Sequence, residues 1–305
     1  MPRFDLIADS ESENERIDKF LAGYIDSFSR SYLQKLIETS DISVNGKSIK
    51  PSYRLKADDR IAVNVPENII PDIVPENIPL DILYEDDDVI VVNKPKGMVV
   101  HPSAGNYEHT LVNALMFHCA DNLSGINGVL RPGIVHRIDK DTTGSVIACK
   151  NDLAHSAIAE ALKEHSIKRR YVAIVHGVIN EDEGTVRTLI GRDPKDRTKM
   201  AVVSSGGKEA VTHFKVLKRT DKYSYVECEL ETGRTHQIRV HMSYLHHPIL
   251  GDDKYSNIKS PFKLEGQCLH AMILGFIQPR TGEYIETVAP LPDYFSHLLK
   301  ILNME

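Results

Sequence analysis

Cysteine is scarce in this sequence, and what there is lies scattered. The four cysteines among 305 residues are Cys119, Cys149, Cys228 and Cys268, and no two stand as Cys-x-x-Cys. That argues against a disulfide-stapled scaffold and a Cys-rich zinc site, and points to reduced, intracellular thiols. Long apolar runs are also missing: no stretch approaches the roughly 20 residues that cross a bilayer. Residues 1–15 are acidic and polar, without the basic start and apolar core of a secretory signal. A cytoplasmic protein with no membrane partner is expected. A net positive charge is lacking too. The formal net charge is -6 and the pI is near 6.2, which argues mildly against a polyanionic partner, because phosphate contacts need Lys and Arg.

Several catalytic signatures are absent as well. There is no Gly-x-Ser-x-Gly elbow. Gly46-Lys47-Ser48 has the end of a phosphate loop, but Asp41 stands where the loop needs its first glycine. His236, His241, His246 and His247 cluster in sequence, yet a spacing of five does not put His236 and His241 on one helical face as a metal pair requires. Structural or partner-facing histidines fit better, and no metal or cofactor is expected. No internal repeat is visible.

What is present has the composition of a globular protein, 41% hydrophobic and 26% charged, and a length that suggests about two domains. Ser12 and Glu15 have capping-box spacing ahead of an amphipathic run, Ile17, Phe20, Leu21, Tyr24 and Ile25. A second helix is expected from Ser29, with Tyr32, Leu33, Leu36 and Ile37 as its stripe. Asn45-Gly46 between alternating apolar residues predicts a hairpin, and Ile61, Val63 and Val65 a further strand. Residues 12–65 thus read as a small helix-helix-hairpin domain. Between Arg16 and Arg60, nine Lys or Arg face six Asp or Glu; from Asn64 to Asp88 there are eight acidic residues and no basic ones. Pro66, Pro71, Pro75 and Pro79 stiffen that acidic stretch, so residues 66–79 read as a linker. The net charge therefore says little about either domain's binding face.

Residues 80–305 read as a larger α+β domain. Strands are expected at Val89–Val92, Ser145–Cys149, Tyr171–Val175, Ala210–Leu217 and Tyr225–Leu230. Helices are expected at Thr110–His118, from a cap at Asp152 through Ser166 with Leu153, Ala157, Ala161 and Leu162 inward, at Thr235–Tyr244, and at Tyr294–Leu302.

Two segments concentrate ionisable groups. Arg131–Gly144 packs His136, Arg137, Asp139, Lys140 and Asp141 between Pro132-Gly133 and Gly144, just ahead of a strand. A carboxylate at Asp139, flanked by Arg137 and Lys140, would stay ionised, fit to act as nucleophile or to stabilise a cation. Composition by itself favours the plainer reading, a solvated charge run. In Glu231–His241, Gly233 permits a tight turn and Arg234 opens the expected helix. Its planar fork suits a phosphate or carboxylate, and capping the turn suits it equally.

At these residues the sequence resembles the RluA-type pseudouridine synthases. The run His136-Arg137-Ile138-Asp139-Lys140-Asp141-Thr142-Thr143-Gly144 is similar to the family signature, departing conservatively at Ile138 and Thr143. Asn93–Met98 with His101-Pro102, Arg170–Val175 with Gly177, Asp196–Val202 and Gly233–His241 resemble four further family segments, in the family's order. Residues 16–63 resemble a small RNA-binding domain shared with a ribosomal protein. The resemblance implies a mixed, mainly antiparallel catalytic sheet, no cofactor, and structured RNA as partner, above all large-subunit ribosomal RNA; a monomer is expected. It implies that Asp139 is the catalytic carboxylate and that Tyr171 stacks on the target uracil. It further implies that Arg234 pairs with Asp139, that Arg137 steadies the gap left by the flipped nucleotide, and that Ile238 is an apolar wall. Arg30, Lys35 and Lys47, with Lys50, Arg54 and Lys56, are the expected phosphate contacts of the small domain.

Overall fold

The computed structural model describes residues 3–25, 30–64, 73–102, 106–120, 122–128 and 131–305. The chain divides into two compact units, Met1–Ile70 and Pro71–Glu305.

In the smaller unit β1 (Arg3–Ile7), α1 (Ile17–Tyr24), α2 (Arg30–Glu38), β2 (Ile42–Val44), β3 (Lys47–Ser48) and β4 (Arg60–Asn64) follow in order. The strands form an antiparallel sheet β1-β4-β2-β3. Asn45 and Gly46 take φ of 50° and 72°, the left-handed pair that a tight two-residue hairpin needs. Ile61 and Val63 of β4 point inward onto Ile17, Leu21, Leu33, Leu36 and Ile37 of the helices. Strand β1 is not anticipated by the sequence. The expected capping box does not form: the Ser12 hydroxyl donates to Asp9 Oδ1 at 2.6 Å, within its own loop, and Arg16 occupies the cap position with no side-chain cap. The two helices are joined instead through Asp18, a buried carboxylate that accepts from Arg16, Arg30 and Gln34. Burial opposes its ionisation, but these donors outweigh burial and hold its pKa well below the usual carboxylate range. Ser29, Val65, Pro66 and Pro71, and the Tyr32 side chain, lie outside the described residues.

The larger unit is α+β. Its elements are β5 (Ile82–Glu85), β6 (Val89–Lys94), α3 (Leu111–Cys119), β7 (Thr143–Cys149), α4 (Asp152–Lys163), β8 (Lys168–His176), β9 (Glu183–Arg192), β10 (Met200–Val202), β11 (Lys208–Arg219), β12 (Tyr223–Leu230), α5 (Gln237–Tyr244), β13 (Leu269–Ile277), β14 (Tyr284–Val288) and α6 (Asp293–Ile301). The ten strands run β10-β9-β11-β12-β8-β13-β7-β6-β5, with β14 also on β13. Among the described residues, every pairing is antiparallel except β13 with β7.

The apolar run at β6 follows from burial on both faces. Ile90 and Val92 pack with Leu111 and Leu115 of α3 on one side, while Val89 and Val91 pack with Ala154 and Ile158 of α4 on the other. Gly144 has φ of 108°, and a Cβ there would stand 2.2 Å from the Ala271 carbonyl oxygen. Only glycine lets β7 and β13 run parallel at that point.

Two local expectations fail. Helix α4 is capped by Asn151, whose side chain accepts from the Ala154 N–H; Asp152 is already the first helical residue, and its carboxylate accepts from the Ser124 hydroxyl at 2.6 Å. Its buried face is Ala154, His155 and Ile158, leaving Leu153 and Ala157 exposed. The acidic stretch is also packed on this unit from Ile73 onward. Ile73 is buried in the core with Leu111, Asn113 Nδ2 donates to the Val74 carbonyl at 2.9 Å, and Glu76 accepts from the His109 N–H at 2.8 Å.

Candidate active site

The charged loop ahead of β7 is fixed at several points. Ile134 bridges to Ala148, and Ile138 is buried. His136 Nε2 accepts from the Ile147 N–H of β7 at 3.1 Å, which requires the neutral ring. Burial, with Arg169 beside it, pulls the His136 pKa down to about 3. Lys94, at the end of β6, is fully buried and donates to the carbonyls of Pro95, Met98 and Lys140 at 2.8–2.9 Å. Burial lowers its pKa to about 7, with Asp141 and Asp139 opposing. Three acceptors match the three N–H bonds of an ammonium group. The Lys140 carbonyl also accepts from Gly97 N–H at 3.0 Å, so the residue after Asp139 is held from two directions.

Asp139 stands in a cleft of about 540 Å³ whose walls include Arg137, Ile138, Arg169, Tyr171, Arg234, His236, Ile238 and Arg239. Its carboxylate is 17% exposed. The guanidinium that pairs with it is Arg239, whose Nη1 donates to Oδ2 at 2.9 Å. Arg239 is itself clamped, donating from Nε and Nη2 to the two oxygens of buried Asp252 at 2.7 and 2.8 Å. Burial works against its charge, but Asp252 and Asp139 outweigh burial and raise its pKa. The Tyr255 ring lies 5.0 Å under the guanidinium carbon.

The expected pairing of Arg234 with Asp139 is therefore corrected. The reason lies in how α5 begins. His236 takes a left-handed φ of 56°, so the helix starts at Gln237, beyond Arg234. Gln237 accepts from the Arg234 N–H and Thr232 hydroxyl, and donates to the Val211 carbonyl and Thr212 hydroxyl, tying the helix start to β11. One turn on, His241 bonds Thr212 and Thr188. With Gln237 and His241 facing the sheet, Ile238 and Arg239 face the cleft. Arg234 lines the cleft but turns its Nε to the Glu209 carbonyl at 2.8 Å.

Tyr171, on β8, lies in the same cleft and is 8% exposed. Burial pushes its hydroxyl up to about 12, with Arg169 opposing and Asp139 adding to it, so the ring is neutral. Arg137 is exposed at the cleft, its Nη1 3.5 Å from Nε2 of buried His101. Burial, with Arg137 and Arg131 adding to it, lowers the His101 pKa to about 4, which suits an acceptor. His236 and His241 diverge: His236 bonds the Tyr255 hydroxyl through Nδ1 and brings Nε2 to 3.8 Å from Asp139 Oδ1, whereas His241 bonds the β-sheet threonines. Among the described residues, no group of three or more His, Cys, Asp or Glu is placed to hold a metal ion.

In the smaller unit, Arg30 is engaged by Asp18 at 3.0 Å, whereas Lys35 and Lys47 are exposed. Arg54 donates to the Asn14 carbonyl at 2.6 Å.

Sequence reasoning missed Arg239, Asp252 and Arg169 as site residues. Arg169 carried a signal: it stands two before Tyr171 on a strand, hence on the same face. The role of Asp252 had none, since it comes from a loop beyond α5. Chemically, the cleft offers a carboxylate steadied by one clamped cation, a neutral aromatic face, and an apolar wall. That set suits a flat ring, with the carboxylate available as nucleophile, base or counter-charge.

Residues 88–244 match the RNA pseudouridylate synthase family, and residues 15–61 match the S4 domain. An RNA pseudouridine synthase of Bacillus subtilis, described as uncharacterized, is 51% identical over 303 residues, 99% of each chain. The ribosomal large subunit pseudouridine synthase D of Zymomonas mobilis is 44% identical over 312 residues, 99% of this chain and 98% of that one. Among solved structures, human RNA pseudouridylate synthase domain containing 1 superposes with a TM-score of 0.58 at 25% identity, covering 75% of this chain and 97% of that one. The chain belongs to the RNA pseudouridylate synthase family: it is an RNA pseudouridine synthase with an N-terminal S4 domain.

Proposed function

We propose that this enzyme isomerises uridines of large-subunit ribosomal RNA, with Asp139 as the catalytic carboxylate. The observation that carries the reading of Asp139 is its clamp: Arg239 donates to its carboxylate, and Asp252 fixes Arg239 in turn. Such an arrangement holds a carboxylate ionised and aimed, as a nucleophile or base must be. The reaction breaks N1–C1′, turns uracil over and joins C5 to C1′. Asp139 either adds to the ribose or promotes loss of a ribose proton. Tyr171 stacks on the uracil, a contact of roughly 1–3 kcal/mol that helps offset the few kcal/mol of taking a base out of its stack. Ile238 walls the ring, and Arg137 steadies the gap left in the RNA and pairs with a phosphate. Arg234 serves the RNA backbone at the cleft.

The ribosomal target is supported by the names of relatives such as the Zymomonas mobilis protein, 44% identical. Residues 12–65 serve as the RNA anchor through Lys35 and Lys47, ahead of the acidic stretch 66–79 and the catalytic domain 80–305. The protein works as a cytoplasmic monomer without a cofactor. No helix among the described residues is long and apolar enough to cross a membrane.

Asp139→Asn tests the core of this reading. Tritium release from C5-labelled uridine RNA should vanish while RNA affinity persists; retained turnover would sink the assignment. Mapping pseudouridines in ribosomal RNA from cells with and without the gene tests the target.

A further inference from the structure

Arg169 is a buried cation that nothing in the mechanism above uses. It is 6% exposed and lines the Asp139 cleft. Its Nη2 donates to the carbonyls of Glu231 and Leu230 at 2.8 and 3.5 Å. Its Nε is buried without a partner, and no carboxylate among the described residues pairs with it. Burial lowers its pKa, and Tyr171 and Arg234 are near enough to bias it. A desolvated guanidinium with no counter-ion is costly, and buried charges are ordinarily paired. The described residues supply no anion to balance it.

We propose that Arg169 stabilises the uracil anion released when the N1–C1′ bond breaks, by contact with a uracil carbonyl oxygen. The proposal rests on reading the Asp139 cleft as the place where uracil departs. When that bond breaks, its electron pair leaves with the base, and the negative charge spreads over N1, O2 and O4. Asp139 supplies the counterpart by bonding C1′ or by taking a ribose proton, and returns it when C5 bonds to C1′. N1 then takes up a proton and C5 loses one to solvent. Throughout the interval the anion lies against Tyr171, on whose strand face Arg169 also stands. Uridine in the ground state is neutral, so the interaction is stronger in the transition state and raises the rate rather than the affinity.

The test compares RNA carrying uridine or 5-fluorouridine at the target: after a single turnover the RNA is digested to nucleosides, and the target nucleoside consumed is measured by chromatography, which separates the C5-linked isomer from its parent of equal mass. The 5-fluorouracil anion is intrinsically more stable and needs less help. Arg169→Gln should slow uridine RNA by about 10²-fold, as the loss of one transition-state donor does, and 5-fluorouridine RNA far less. RNA affinity should stay within threefold. Arg169→Lys, which keeps the charge, should preserve the wild-type ratio between the two substrates. Should Arg169→Gln fail to fold, Gly233→Ala carries the test. The new Cβ would meet Arg169 Nη1 at 2.8 Å and displace the guanidinium without removing it. Gly233→Ala should show the same selective loss. An equal fall with both substrates, or none, overturns the proposal. Asp139→Asn, run beside these, should abolish turnover of both substrates; turnover surviving there overturns the reading of the cleft itself.

Discussion

Arg234 and Arg239 stand five positions apart, and the chain gives them different work. Arg239 is held by two carboxylates in the interior, while Arg234 braces a carbonyl where the cleft opens. Replacing Arg239 by Gln removes the donor to Asp139 and leaves Asp252 buried without its partner. Single-turnover rates should fall by at least about 10²-fold. Thermal unfolding should show a loss of about 3 kcal/mol, the usual cost of breaking a buried pair. Arg234→Gln should weaken RNA binding by roughly tenfold, the worth of one charge-assisted hydrogen bond, and leave the rate at saturation within a fewfold of wild type. If instead the Arg234 variant were the one to lose its rate at saturating RNA, the assignment of the two arginines would be reversed.

Among the elements, β7 decides most. It carries the charged loop of Asp139 at its start, is buried along its whole length, and meets β13 through Gly144. Gly144→Ala must push a Cβ against the Ala271 carbonyl, so β7 and β13 separate there. A loss of about 3 kcal/mol is expected, at the upper end for overpacking, or about 6–12 °C in Tm for a unit of this size. The same strand also gives the fold a pH response. The folded His136 pKa is about 3 against an ordinary 6.5, so below pH 6.5 the unfolded chain takes up a proton that the folded chain refuses. Stability contributed by this group is full above pH 6.5 and drains away as pH falls towards 3. His136→Gln keeps an acceptor for the Ile147 N–H without a titrating group. Melting temperatures between pH 7 and pH 4.5 should therefore fall less steeply in this variant than in the wild type.

At the scale of the whole molecule, each unit has its own core: Ile17, Leu21, Leu33, Ile37 and Ile61 in one, the two faces of the ten-stranded sheet in the other. Removing residues 1–65 should leave the melting transition of the larger unit in place. Affinity for large structured RNA should drop, and the slope of log affinity against log salt should become shallower. The change should be about 0.9 for each duplex phosphate no longer neutralised, and somewhat less for each single-stranded one. Unchanged affinity and slope would end the anchor reading. The overall charge of -6 averages over a local contrast: residues 16–60 hold nine Lys or Arg against six Asp or Glu, while residues 64–88 hold eight acidic residues and no basic ones.

The amino-acid sequence by itself determined the two-part plan, the helix-helix-hairpin of the small unit, the α+β class of the large one, and the loop carrying Asp139. These follow from local periodicity, from turn chemistry at Asn45-Gly46, and from a contiguous motif. It did not determine strands such as β1 and β9, whose residues are only partly buried and lack a strong apolar signal. Nor did it decide which arginine serves Asp139. Arg234 and Arg239 share one segment, and a left-handed His236 turns one away and the other inward. Asp252, 113 residues after Asp139 in the chain, then chooses between them. Only tertiary structure could settle that, because it is a matter of which charges burial brings together.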